Sequence, residues 1–322
     1  MPARNEAALL PQTLPALVAQ DYPGAVRVVV VDDRSADGTA AVAAGLGAEV
    51  VRGTELPDGW VGKVWALEQG SARCGDAAYL LLTDADIRHA PDSLRTLVAE
   101  SERRGLGLNS RMARLRAATP VERLLVPAFA CFFALLYPMR RVNDPRRRTA
   151  AAAGGCVLLR RDALRAIGGF ARIRDAVIDD VSLAKAVKSA GFAVRLAASP
   201  QRVRSLRAYC SLAPFWRTVR RTAFTQLRHS WLLLALTLAL LALVFLAPPF
   251  LVAASLAGAA SWPAGLLGAL AWAAAAVVYL PTLGLYELSP LWAATLPLAG
   301  VLYGAMTLDS ALRHAAGARG AW

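Results

Sequence analysis

Between Trp231 and Leu312 the chain carries two charged side chains, Glu287 and Asp309, and no lysine or arginine. Within that stretch Trp231 to Ala247, Ala264 to Leu280 and Leu291 to Leu308 are each 17 or 18 residues without charge. That is near the lower limit of the roughly 17 to 25 residues needed to cross a hydrocarbon core. Three such runs with no polar face leave no side for water, which points to membrane spans rather than a buried helical core. Pro248-Pro249, Ser261-Trp262-Pro263 and Ser289-Pro290 punctuate them. Three spans are expected. That count sets Arg313 and Arg319 opposite the rest of the basic residues, against the positive-inside tendency, so two or four spans stay open.

This cut accounts for a composition that no single globular domain fits: 322 residues, 56% apolar, net charge +13. Residues 1 to 230 hold 34 basic and 21 acidic side chains, and so carry the whole excess. Arg202, Arg204, Arg207, Arg217, Arg220, Arg221 and Arg228 occur between Gln201 and Ser230 without one acid. Such a series before a span predicts that the first 230 residues face the cytoplasm and an anionic lipid surface, so that the protein is a multi-pass protein of the inner membrane. Residues 121–138, apolar and followed by Arg140, Arg141 and Arg146 to Arg148, read as a helix lying in the interface or as a core helix of the preceding domain. No nucleic-acid module is recognisable, so nucleic acid is not an expected partner. Four scattered cysteines and three histidines suggest neither a disulfide framework nor a zinc site.

The first 200 residues alternate. Leu10, Leu14, Leu17 and Val18 have helical spacing, and RVVVV (27–31) is an unbroken β-branched run. A small-residue helix to Gly45, a strand from Glu49, a helix over Val64 to Ser71 and the strand AYLLL (78–82) follow. This order predicts an α/β fold, a mostly parallel sheet with ligands at the carboxyl ends of its strands. Acidic pairs sit there: Asp32-Asp33 after the first run, and Asp84-Ala85-Asp86 after AYLLL. Two carboxylates one residue apart suit a hard divalent cation held together with phosphates. DDRSADGT serves equally as a turn. Asp179-Asp180 opens an amphipathic helix ending near Gly191, where capping alone would favour acids.

Taken together, PARNEAALLPQTLPALVAQDYPG from Pro2, VVVVDDRSADGT, GWVGKVWALEQG, LLTDAD, AAAGGCVLLRRDALRAIGGF and IDDVSLAKAVKSAGF resemble, in order and spacing, the family 2 glycosyltransferases. These are inverting enzymes of the GT-A fold, a Rossmann-like catalytic domain. The resemblance covers about 200 residues. GWVGK, LLYPMRRVNDPRRR and RTAFTQLRHS, with C-terminal spans, resemble more narrowly the glycosyltransferases associated with hopanoid biosynthesis. The resemblance implies a nucleotide-diphosphate sugar donor, a lipid acceptor, and a divalent metal, Mg2+ or Mn2+. It places Pro2, Ala3, Arg4, Glu6 and Asp33 on the nucleotide, Asp84 and Asp86 on ribose and metal, Lys63 on the donor, and Asp180 as general base with Asp179 in support. Relatives often carry Glu at the position of Asp179. The QxxRW motif of processive relatives is absent: Gln226-Leu227-Arg228-His229-Ser230-Trp231 stands instead, which disfavours polymer synthesis.

Relatives precede the PARNE segment with an apolar strand, whereas here Met1 abuts Pro2; that strand is expected to be missing, through a start set too far downstream, with an unpaired edge beside Val28 to Val31. The organisation read from sequence is a catalytic domain over 1–200, an Arg-rich interfacial linker over 201–230, spans over 231–312, and a tail over 313–322. Two other readings remain. One is a polyprenyl-phosphate sugar synthase. The other is a non-catalytic nucleotide-binding transporter or scaffold, which the lack of ionisable groups within the spans disfavours.

Overall fold

A computed structural model describes residues 1–317. The chain divides into two compact units. Of the described residues, the first comprises Met1–Arg116 and Leu136–Arg207, the second Ala117–Leu135 and residues 208–317.

In the first unit strands and helices alternate as the periodicity predicts. Strand β1 (Pro2–Ala3) leads to α1 (Leu10–Val18), whose Leu10, Leu14 and Leu17 pack on Ala3, Val30 and Ala43. Strand β2 (Val29–Asp32) is buried along its length, as a β-branched run covered on both faces should be. Helix α2 (Thr39–Gly45), β3 (Glu49–Arg52), α3 (Gly62–Ala72), β4 (Tyr79–Thr83) and β5 (Ile87–His89) follow. Helix α4 (Ser93–Arg104) ends at Gly105, whose φ of 62° suits a residue without Cβ, with Arg103 and Arg104 in its last turn, where positive charge suits the helix dipole. Then come β6 (Leu106–Met112), β7 (Cys156–Arg160), α8 (Asp179–Ser189), β8 (Ala193–Ala198) and β9 (Val203–Ser205), after the intervening helices α5 (Pro120–Leu136), α6 (Met139–Val142) and α7 (Arg161–Ala166).

Strands β1, β2 and β3 form one parallel sheet in that order. A second sheet has the order β4-β7-β6-β8, with β7 running against the other three. Strand β9 pairs antiparallel with β5. Between the two sheets lies an apolar cavity of about 480 Å3, lined by Val29 and Val31 on one side and Tyr79 to Thr83 on the other. Strand β1 pairs with β2 on that side, Pro2 against Val31 and Ala3 against Asp32, and Met1 extends the pairing, its amine donating to the Val29 carbonyl and its carbonyl accepting from Val31 N–H, each at 2.9 Å.

The sequence reading assigns residues from 201 to a linker, but the structure carries β9 and Arg207 in the α/β unit. Residues 203–205 have a paired partner in β5, a nonlocal contact that outweighs their basic composition.

In the second unit, helix α9 (Leu212–Gln226) precedes three long apolar helices. These are α10 (Trp231–Leu256), α11 (Trp262–Leu285) and α12 (Pro290–Ala315), and by length and composition each could cross a membrane. Helix α10 starts at Ser230, whose hydroxyl accepts from Leu233 N–H, and runs through Pro248-Pro249 rather than stopping there. The stretch Ala242–Leu246 is wound as a π-helix just before the prolines, which loosens the backbone where two N–H donors are missing. Helix α5 belongs to this unit: Tyr303 donates its hydroxyl to the Leu125 carbonyl at 2.9 Å, and Phe132 packs edge-on against Tyr303. At the end of α12, Asp309 accepts from Trp216 Nε1 at 2.7 Å and pairs with Arg220, both on α9. Phe224, Leu234 and Ala311 share a small core, and the rings of His229 and His314 stack at 4.2 Å. Of the tail, Arg319 lies outside the described residues.

Candidate active site

The carboxyl ends of β2 and β4 and the start of α8 bring most of the expected residues into two charge clusters, with a third pair beside them. The first cluster centres on Lys63, in the first turn of α3. Its ammonium lies 2.8 Å from Asp84 Oδ1 and 3.4 Å from Asp179 Oδ2. Burial pushes this amine down, but the carboxylates of Asp179, Asp84 and Asp180 outweigh it and hold the lysine well above its ordinary value. Asp84 is likewise pushed up by burial, yet Lys63 beside it brings its net value down.

Asp180 is fixed by the backbone. Gly154 N–H donates to Oδ2 at 2.8 Å and Val181 N–H to Oδ1 at 2.7 Å. Burial, with the neighbouring charge of Asp179, raises its carboxyl to about 7; Lys63 and the two N–H groups pull the other way without prevailing. A carboxylate held in place and poised near neutrality is suited to accept a proton. A side chain at Gly154 would crowd this cluster: a Cβ there would stand 3.1 Å from Lys63 Nζ and 3.3 Å from Asp180 Oδ2.

The second cluster centres on Arg207. It donates a short hydrogen bond to Glu6 Oε1, and its Nε is 3.7 Å from Asp86 Oδ2. Asp86 also accepts a short hydrogen bond from the Ser205 hydroxyl. Burial raises both Glu6 and Asp86, against the opposing pull of Arg207. Neither Arg207 nor Ser205 is singled out by sequence, because Arg207 reads as one more member of an arginine series and Ser205 has no local signal; only the β5–β9 pairing brings them to Asp86. Nor does the sequence mark Gly154 as a donor, although its motif holds the Gly154-Gly155 pair.

Asp33 forms the third group. It is 3% exposed, and its Oδ2 accepts no hydrogen bond although Arg4 Nη1 stands 3.6 Å away. Pro2 and Ala3, both buried in β1, and Asn5, at φ 55°, carry the chain past it.

Among the described residues no three His, Cys, Asp or Glu side chains gather as a metal site. The Asp84 and Asp86 pair nonetheless fits a divalent ion of the Mg2+ kind, which commonly takes one or two carboxylates and completes its shell with substrate phosphates and water. Their hard oxygen donors stand one residue apart at a strand end, and the cations now beside them, Lys63 and Arg207, are the charges that anionic phosphate would also meet.

The family model for glycosyl transferase family 2 matches residues 1–168. No curated protein sequence matches the chain. Among solved structures, mannosyl-3-phosphoglycerate synthase from Rubrobacter xylanophilus is similar at 23% identity, covering 69% of this chain and 71% of that one, with a TM-score of 0.42. Glucosyl-3-phosphoglycerate synthase from Mycobacterium tuberculosis, in complex with Mn2+, UDP and glucosyl-3-phosphoglycerate, is similar at 20% identity, covering 70% and 77%, with a TM-score of 0.45. The family match spans more than half of the chain and takes in Asp33, Lys63, Asp84 and Asp86, while Asp180 and Arg207 lie beyond it: the chain belongs to glycosyl transferase family 2, a glycosyltransferase of the GT-A fold with three apolar C-terminal helices long enough to cross a membrane.

Proposed function

We propose that the protein transfers one sugar, with inversion, from a nucleoside-diphosphate sugar to the hydroxyl of a membrane lipid. The observation that carries this reading is Asp180: half-buried, held by two backbone N–H groups, and raised to about 7. Inversion needs a base on the face opposite the departing diphosphate. Asp180 takes the acceptor proton as the acceptor oxygen bonds to the anomeric carbon, and the bond from that carbon to the phosphate oxygen breaks with its electrons on the nucleoside diphosphate. Lys63 meets the diphosphate as a point charge while keeping Asp179 and Asp84 in register. Asp86, with Asp84, would hold Mg2+ or Mn2+, whose chemistry is to neutralise charge on the leaving group. Arg4, Glu6, Pro2 and Ala3 border the nucleotide.

Asp33 narrows the base. Its orphaned Oδ2 needs a donor, which uracil, thymine and guanine present as a ring N–H. Adenine and cytosine present an acceptor at the corresponding ring nitrogen.

Three apolar helices on the same chain support a lipid acceptor, and the arginines of α9 support an anionic, cytoplasmic leaflet of the inner membrane. The narrower resemblance to hopanoid-associated enzymes supports a hopanoid-related hydroxyl. A polyprenyl phosphate arrives already ionised and gains little from a base near neutrality, so Asp180 favours the hydroxyl acceptor. Membranes incubated with a panel of labelled nucleotide sugars should place label in extractable hopanoid. Label in polyprenyl phosphate would support the rival synthase, and transfer that survives both Asp86→Asn and Asp180→Asn would overturn the assignment.

A further inference from the structure

A cavity of about 500 Å3 opens in the α/β unit between α4, β6 and the end of β8, away from the charge clusters just described. Its charged lining is Arg95, Arg103, Arg111, Arg195, Arg202 and a single acid, Glu100. Arg111 is 8% exposed; its guanidinium donates to Asn109 Oδ1 at 2.6 Å and to the Ser110 carbonyl at 3.2 Å, and pairs with Glu100. Glu100 is shared further, with Arg104 at 3.3 Å and Arg195 at 2.7 Å. Arg202 and Arg95 lean on Asp92 and Asp21, each at 2.9 Å. Arg103, exposed at the rim, makes no ion pair among the described residues. Five lining arginines thus face three carboxylates, an excess of two positive charges gathered at one recess, with Arg95 and Arg202 about half exposed.

A second observation points the same way. Arg195 Nε is buried and donates no hydrogen bond, because Glu100 Oε1, though close, lies off the N–H direction. A buried donor without an acceptor is unfavourable, and gathered guanidinium groups repel each other. One ligand removes both defects: a compact anion of charge about two with several acceptor oxygens, the geometry that arginine forks match.

We propose that this cavity binds a phosphate dianion, either inorganic phosphate or the phosphomonoester headgroup of a lipid such as phosphatidic acid. Arg202 lies three residues before Ser205, which holds Asp86, so an anion on Arg202 acts on the short strand that supports the donor site.

The test uses the full chain in phosphatidylcholine nanodiscs, titrated calorimetrically with inorganic phosphate. The double variant Arg103→Gln, Arg195→Gln should weaken binding at least tenfold, and Arg103→Gln alone, at an exposed side chain, severalfold with an unchanged melting temperature. Phosphatidic acid in the nanodisc that competes with inorganic phosphate identifies the lipid as the source; absence of competition identifies the free ion. Equal phosphate affinity in wild type and double variant, as binding in the donor site would give, overturns the proposal, as does failure of the wild type to bind either form.

Discussion

Lys63 stands between Asp84, 2.8 Å from its carboxylate, and Asp179, 3.4 Å away, so one ammonium joins the end of β4 to the start of α8. Replacing it with methionine leaves three carboxylates facing one another. We expect a loss of about 1 to 3 kcal/mol in unfolding free energy, below the full cost of breaking a buried pair because the lysine side chain is 24% exposed. Lys63 also holds Asp180 down, so the acid limb of the activity profile should move to higher pH in Lys63→Met. Chemical denaturation and pH–rate profiles check both; an unmoved limb would contradict the coupling.

The proposed base, Asp180, sets the expected profile. With Asp180 titrating at about 7, kcat/KM should fall about tenfold per pH unit below neutrality and level off above it. Asp180→Asn should lower kcat roughly 10² to 10⁴-fold while leaving donor binding nearly intact.

That same residue costs stability. Its folded value lies above the unfolded value of about 3.9, so its contribution is fully favourable below that pH and is lost as pH rises through about 7. At pH 8, Asp180→Asn should therefore unfold at higher denaturant than wild type, by roughly 2 to 4 kcal/mol, with the difference vanishing near pH 4. A variant less stable than wild type at pH 8 contradicts this.

Asp33→Asn replaces one acceptor oxygen with a donor amide where the nucleotide base is proposed to bind. The KM for a uridine or guanosine donor should rise by about 10²-fold with a smaller change in kcat, because a site built for a hydrogen bond penalises its loss strongly. Equilibrium nucleotide binding separates this from loss of catalysis.

The cavity between β2 and β4 invites an extended apolar segment, since Val29, Val31 and Leu80 to Leu82 face it from both sheets. Fusing a five- or six-residue apolar strand in frame ahead of Met1 should raise the melting temperature by several degrees. An unchanged temperature would show that the slot does not accept a strand.

Much of this architecture was legible because its signals are local. The β-branched run of β2 and the apolar spacing of α1 announce themselves, and the missing charges of residues 231 to 312 mark the apolar helices. Asp84, Asp86 and Asp180 were findable from strand ends and motif order. Arg207, Ser205 and Gly154 were not, since their roles exist only after β9 has paired with β5 and the Gly154 backbone has reached α8. The passage of α10 through Pro248-Pro249 was hidden for another reason: a proline pair reads as a stop unless the preceding turn widens, and no residue type signals a π-turn.

The contacts that tie the last turns of α12 to α9 and the first turn of α10 govern more than packing. Asp309 holds Trp216 and Arg220, and Ala311 shares a core with Phe224 and Leu234. Two points of the chain in direct contact cannot lie across a hydrocarbon core of about 30 Å. If these helices cross a bilayer, the path from residue 234 to residue 309 would traverse it an even number of times, which would set Arg313 on the side from which α10 enters. Single cysteines placed at Arg217 and Arg313, with the native cysteines replaced, should react with a membrane-impermeant thiol reagent from the same face of sealed vesicles.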